Sequence, residues 1–344
     1  MGANSCETAE EVKRIIINFA LETQRQVPDT LQRKPKRVIV ISGPTGCGKT
    51  SFSLKLANAI GGEIISADSM QVYRRMDIGT AKATREERMA VAHHLLDIRD
   101  IHESFNVVDF YFEARIAIQQ ILERGNVPIV VGGSGFYLHA LLYGPPSGPP
   151  SLPELRQYLE EEIELLGSEA LFLRVQQMDP EYAKTITKHD KQKIVRALEI
   201  MTITKKKVSK NLWKGRKRPQ NYDFHCWFLH RPKPILYERI EKRCDIMLAD
   251  GLIAEVEDLM EKGLLQNHSA SQAIGYRQVL DYLSTSKSEA DYIQFVSKFK
   301  QATRNYAKRQ HTWFRKEPLF RWLDADLHDP EIVLDTIIKD YESR

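Results

Sequence analysis

The sequence predicts an α/β fold: a central, mainly parallel sheet flanked by helices, with a helical insertion domain. Three observations predict it. An apolar run at 37–42 leads straight into Gly43-Pro44-Thr45-Gly46-Cys47-Gly48-Lys49-Thr50, a complete G-x-x-x-x-G-K-T loop, and a helical pattern follows. Two further short apolar runs, 63–67 and 128–131, alternate with helical patterns, as strands of a parallel sheet do. Beyond the proline- and glycine-rich segment 144–150 the pattern is helical until a last apolar run at 224–229.

Each element has a local reason. In the loop, the glycines let backbone N–H groups turn inward around an oligophosphate, and the following helix presents its positive end. Lys49 adds a point charge, and Thr50 a hydroxyl suited to Mg²⁺. The core is therefore of the P-loop NTPase-like type. Residues 51–60 continue as a helix that Gly61-Gly62 closes. The strand at 63–67 delivers Asp68 and Ser69 at its carboxyl end, where an open α/β sheet has its ligand crevice.

Residues 71–100 mix loop and helix. They include His93-His94, which lack metal-ligand spacing and are expected to serve packing. Apolar positions three and four apart make 107–124 helical. The strand at 128–131 ends in Gly132-Gly133-Ser134-Gly135, where many ATP-hydrolysing relatives of this fold place a Mg²⁺-holding acid. Glycines there point to close backbone approach to a ligand. Helices are expected at 153–167, 168–178, 180–186 and 190–202, then at 235–249, 253–262, 275–283 and 290–315. The resulting domains are an N-terminal extension (1–36), the first part of the core (37–150), the insertion (151–218), and the return to the core with C-terminal helices (219–344).

The composition, 42% hydrophobic and 28% charged, is that of a soluble globular protein. No apolar run approaches the roughly 20 residues that span a bilayer, so no membrane partner is expected. Cys6, Cys47, Cys226 and Cys244 are scattered, which suggests neither a zinc site nor a disulfide framework and fits a reducing cytoplasm. Glu7, Glu10 and Glu11 argue against a transit peptide, leaving a surface helix near 15–21 and a linker with Pro28 and Pro35. The net charge of +4 is unevenly spread. One basic run covers Lys205, Lys206, Lys207, Lys210, Lys214, Arg216, Lys217 and Arg218; a second includes Lys298, Lys300, Arg304, Lys308, Arg309, Arg315 and Lys316. Charge runs are commonly solvated faces, but with Trp213 and Trp313 embedded these two point to nucleic acid.

Read together, the motifs resemble the bacterial tRNA dimethylallyltransferases (tRNA isopentenyltransferases). The matching blocks are the phosphate loop, Ser66-Ala67-Asp68-Ser69-Met70-Gln71-Val72-Tyr73, and segments 76–82, 93–98, 130–137, 192–199, 273–278 and 308–315. The resemblance implies transfer of a dimethylallyl group from dimethylallyl diphosphate to N6 of the adenosine beside the tRNA anticodon. The loop with Lys49 would hold the diphosphate, with Mg²⁺ at Thr50 and Asp68. Arg277 would reach the same diphosphate, and Asp68 would act as general base, or through water on the metal.

Ser134 stands where the family has threonine; Cys47 and Ala83 replace a common serine and proline. For the RNA, the anticodon stem-loop, the resemblance implies contacts at Asp68, Ser69, Met70, Gln71, Ser134 and Arg156. It adds Gln192, Lys193, Ile194, Val195 and Arg196, then Gln272, Ala273, Ile274, Gly275, Tyr276 and Arg277. The last block is Lys308, Arg309, Gln310, His311, Thr312, Trp313, Phe314 and Arg315. A cytoplasmic monomer of bacterial type is implied, since no cysteine follows Cys244 to build the zinc finger of many eukaryotic members. Three alternatives stand beside it: a small-molecule kinase, which would consume ATP, a prenyltransferase acting on free AMP or ATP, and a non-catalytic RNA-binding protein.

Overall fold

The computed structural model describes residues 36–146, 148–211 and 221–343. The helix expected at 15–21, Trp213 and the cations at 214–218 lie outside the described residues. Six strands make one sheet: β1 (Lys36–Ser42), β2 (Gly62–Ser66), β3 (His93–His94), β4 (Val127–Val131), β5 (Tyr222–His230) and β6 (Arg321–Asp324), in the order β3-β2-β4-β1-β5-β6. β4 pairs in parallel with both β1 and β2, β2 with β3, and β5 with β6. β1 thus lies between a strand that follows it at a distance and one that follows later still. The loop leaving β1 opens at that switch point, where such sheets bind ligands.

Val38, Ile39, Val40 and Ile41 are fully buried. A strand covered on both faces reads as a continuous apolar run instead of an alternating one. The covering helices are α1 (Lys49–Ile60), α2 (Arg85–Ala90), α3 (Val107–Glu123) and α4 (Gly135–Tyr143). Asn106 caps α3, its side chain accepting from the Val108 and Asp109 N–H groups while the Asp109 carboxylate accepts from the Asn106 N–H, which ends the preceding loop cleanly.

Two strands escaped the sequence reading. β3 is two residues long, and its histidines do structural work: His94 Nε2 lies 2.6 Å from Glu63 Oε2, and His93 Nδ1 lies 2.7 Å from the Val91 carbonyl. Glu63 also binds Arg124 and Asn126, and the Arg124 hydrogen bonds hold its carboxyl down at about 2. β6 is a four-residue edge strand with no fully buried position.

The insertion comprises α5 (Pro153–Leu166), α6 (Ser168–Met178), α7 (Pro180–Ala183), α8 (Lys191–Thr204) and α9 (Val208–Asn211). It has its own core, built from Leu159, Ile163, Leu171, Val175, Ile194 and Leu198. Glu199, fully buried, joins it to the linker by accepting from Ser151 Oγ (2.6 Å) and Leu152 N–H (2.7 Å). Arg196 completes the joint, donating to Glu199 (2.6 Å) and to the Pro149 carbonyl (2.6 Å). A buried carboxylate persists only when paired and hydrogen-bonded in this way.

After β5 come α10 (Lys233–Ala249), α11 (Leu252–Glu261), α12 (His268–Ser271), α13 (Tyr276–Leu283) and the long α14 (Glu289–Phe314). A further helix, α15 (Pro330–Glu342), follows β6 and packs on α1 and β5.

Candidate active site

The phosphate loop is held by its carbonyls. Arg231 Nε donates to Cys47 O (2.8 Å), Arg239 Nε to Gly46 O (2.9 Å), and Lys49 Nζ to Gly43 O (2.8 Å) and Pro44 O (2.9 Å). Gly48 caps α1 at φ 99°, a left-handed turn that a side chain would strain. With these carbonyls engaged and no side chain capping α1, the first-turn N–H groups of the helix are left for an anion.

The loop forms one wall of a cleft of about 500 Å³, also lined by Asp68, Gln71, Thr80, Arg239, Arg243 and Tyr306. Burial lowers the pKa of Lys49, with Arg243 adding to that and Asp68 opposing it. Burial likewise presses down on Arg243, and Asp68 is the main group that offsets it. Cations desolvated in this way gain most from an arriving diphosphate.

Asp68 sits just past β2. Its Oδ1 accepts from Met70 N–H (2.9 Å) and Gln71 N–H (3.3 Å), and among the described residues nothing donates to Oδ2. Ser134, at the N-terminus of α4, does not use its hydroxyl to cap that helix. Tyr306 lines the cleft, and its phenol pKa is raised by burial and by nearby Asp68. A carboxylate oxygen and a neutral phenol therefore share the cleft with the anion-binding groups, and Ser134 follows Gly133 of its wall.

The loop opposite is clamped from the C-terminal helices. Glu255 on α11 accepts from the N–H groups of Ile78 (2.7 Å), Asp77 (3.0 Å) and Gly79 (3.1 Å), and from Tyr276 Oη (2.6 Å). Gln71 ties in the other side: its Nε2 donates to Thr80 O (3.1 Å), and its Oε1 accepts from Ser66 Oγ (2.8 Å). Lys82, buried, bonds Asp77 (2.6 Å), Asp97 (2.7 Å) and Tyr73 O (2.8 Å).

The structure thus brings Gly43–Thr50, Asp68, Ser134 and Gln71 to one place. It does not bring Arg277 there: that side chain is exposed on α13, and Arg239 and Arg243 of α10 supply the cations instead. Several residues expected at the RNA surface are turned inward. Ile194, Val195, Tyr276, Gln310 and Phe314 are buried on the hidden side of a helix, and Ala273 and Gly275 are buried in the turn before α13. Gln192, Lys193, Gln272, Lys308, Arg309, Thr312, Trp313 and Arg315 are exposed, while Ser69, Met70, Arg156, Ile274 and His311 are half-buried.

Arg196 is spent on the insertion joint described above. Arg243 and Tyr306 went unnoticed in the sequence, and their signal was the helical spacing. Arg239 and Arg243 lie four residues apart on one face of α10; Tyr306 and Gln310 do the same on α14.

Among the described residues no group of three or more His, Cys, Asp or Glu side chains could enclose a metal. Mg²⁺ does not require one, since it keeps several waters and is bound largely through substrate phosphates. The Thr50 hydroxyl and the Asp68 carboxylate in the same cleft fit such a site.

Fold and cleft define a phosphate-loop protein in which β4 ends in Gly132-Gly133-Ser134 and the acid of the cleft, Asp68, follows β2. Relatives narrow the class. Residues 71–317 match the family model described as IPP transferase. A tRNA dimethylallyltransferase of Protochlamydia amoebophila (strain UWE25) is 68% identical over 99% of both chains. The tRNA isopentenylpyrophosphate transferase of Bacillus halodurans superposes with TM-score 0.64 at 36% identity, covering 90% of this chain and 98% of that one. A eukaryotic dimethylallyltransferase solved acting on tRNA gives TM-score 0.74 at 29% identity, with 90% and 80% covered. The chain belongs to the IPP transferase family, and it is a prenyltransferase.

Proposed function

We propose that this protein transfers the dimethylallyl group of dimethylallyl diphosphate to N6 of the adenosine 3′-adjacent to the anticodon of tRNA, in the cytoplasm, releasing diphosphate. The observation that carries this reading is the cleft itself, which sets an anion-holding loop and desolvated cations against a carboxylate with an unengaged oxygen. The donor's diphosphate lies in the loop, against Lys49, Arg239 and Arg243. As the allylic C–O bond breaks, its electron pair leaves with the diphosphate, and these cations and the loop N–H groups stabilise the growing charge. The adenine amine forms the new C–N bond, and its proton passes to Asp68. Ser134, next to Gly133 of the cleft wall, stands beside the reacting groups. Thr50 and Asp68 would hold Mg²⁺, which supplies further neutralisation of the diphosphate.

The target base sits within a loop stack and must swing out to reach the cleft. The exposed Lys308, Arg309, Trp313 and Arg315 supply phosphate contacts and a ring for that RNA. Incubation with unmodified tRNA and labelled dimethylallyl diphosphate, followed by nucleoside mass analysis, tests the reading. One labelled N6-dimethylallyl adenosine per tRNA is expected, without consumption of ATP. Label on free AMP but not on tRNA would overturn it.

A further inference from the structure

We propose that Gln310 is a positioning residue for the donor diphosphate and not a contact to RNA; the inference rests on the diphosphate lying in the phosphate loop. Gln310 stands on α14 between Arg309 and His311, in the block expected to face RNA, yet its side chain is buried. Both ends of its carboxamide are used. Oε1 accepts from Thr45 N–H of the phosphate loop (2.8 Å), and Nε2 donates to the Gly133 carbonyl past the end of β4 (3.0 Å). One side chain thus joins the two chain segments that frame the cleft, across 265 residues of sequence on one side and 177 on the other.

Gly133 bears the imprint of this strut. A Cβ there would lie 2.1 Å from Gln310 Nε2 and 3.2 Å from the Gly43 carbonyl, so the residue at 133 must lack a side chain for the carboxamide to fit. The neighbouring Tyr306, one turn earlier on the same face of α14, lines the same cleft beside Gln310 and Gly133. The Thr45 N–H would otherwise be a half-buried donor free to rotate the loop. Fixed, it sets the loop's direction before the diphosphate arrives, the kind of preorganisation that turns a flexible loop into a receptor.

The test compares Gln310→Met, which keeps the volume but neither hydrogen bond, with wild type in the full chain. Inorganic diphosphate with Mg²⁺ and an unmodified anticodon stem-loop are titrated separately by calorimetry. Diphosphate binding is expected to weaken on the order of tenfold, as for two lost buried hydrogen bonds, with stem-loop affinity unchanged. In steady state the same variant raises KM for the donor and leaves KM for tRNA where it was. Wild-type diphosphate affinity with a loss confined to the stem-loop would overturn the proposal and return Gln310 to the RNA surface. Failure of wild type itself to bind diphosphate would overturn the placement of the donor instead. A cycle of Gln310→Ala with Gly133→Ala guards against a merely unstable variant: each change breaks the same contact, so their losses of diphosphate affinity fall short of adding. Additive losses would overturn the strut.

Discussion

The basic stretch 300–316, which begins within α14 and runs just past its end, uses the cations of its two halves oppositely. In the first half, Lys300 pairs with Asp245 (2.7 Å) and Arg304 with Glu241 (2.6 Å), both acids on α10. From Lys308 to Lys316, four exposed cations, Lys308, Arg309, Arg315 and Lys316, have no carboxylate within ion-pair reach among the described residues. α10 mirrors this division. Glu241 and Asp245 face α14, whereas Arg239 and Arg243, on another face, line the cleft. The paired cations lie between α10 and α14, and the unpaired ones line the cleft or the exposed end of α14.

The largest effect is expected where the open cations are also desolvated. Arg243→Ala should lower the single-turnover rate of transfer by about 10²- to 10³-fold, as removal of a group that stabilises developing charge does. An unchanged rate would erase the distinction between α10's two faces. Arg309→Glu probes the open half of α14: affinity for the stem-loop should fall by about tenfold, and the slope of log affinity against log salt should lessen by about 1. The smallest effect belongs to the paired half. Arg304→Glu should cost about 1 kcal/mol or less of stability in a denaturant titration, because the Glu241 pair is partly exposed. Its salt slope for RNA should match wild type; a flattened slope would mean that the paired half also meets RNA.

The sequence carried the loop, four of the strands and the family blocks because those features are local: a glycine pattern or an apolar run is visible without its neighbours. It did not carry β3 or β6, since two residues cannot display a period and β6 is a four-residue edge strand whose only apolar residues are the adjacent Trp322 and Leu323. Arg243 was hidden for a different reason. A basic residue in a polar helix reads as a solvated face, and only the packing of α10 against the phosphate loop turns it inward. The buried members of the RNA blocks, such as Ile194 and Phe314, were legible in principle: helical period alone separates them from Lys193 and Arg315.

The strut between Thr45 and Gln310, and the Glu255 clamp on Asp77–Gly79, both run from the last third of the chain to the first. On the ribosome, then, the glycine loop emerges long before the parts that shape it. β1 can fold onto its neighbours early, but the cleft lacks both contacts until α11 and α14 have left the exit tunnel and docked. Contacts of such sequence span form late, after the loop-closure entropy has been met. A truncated or stalled chain would therefore expose the most recognisable motif of the protein while lacking the site that gives it meaning, so chemistry begins only when synthesis is almost done.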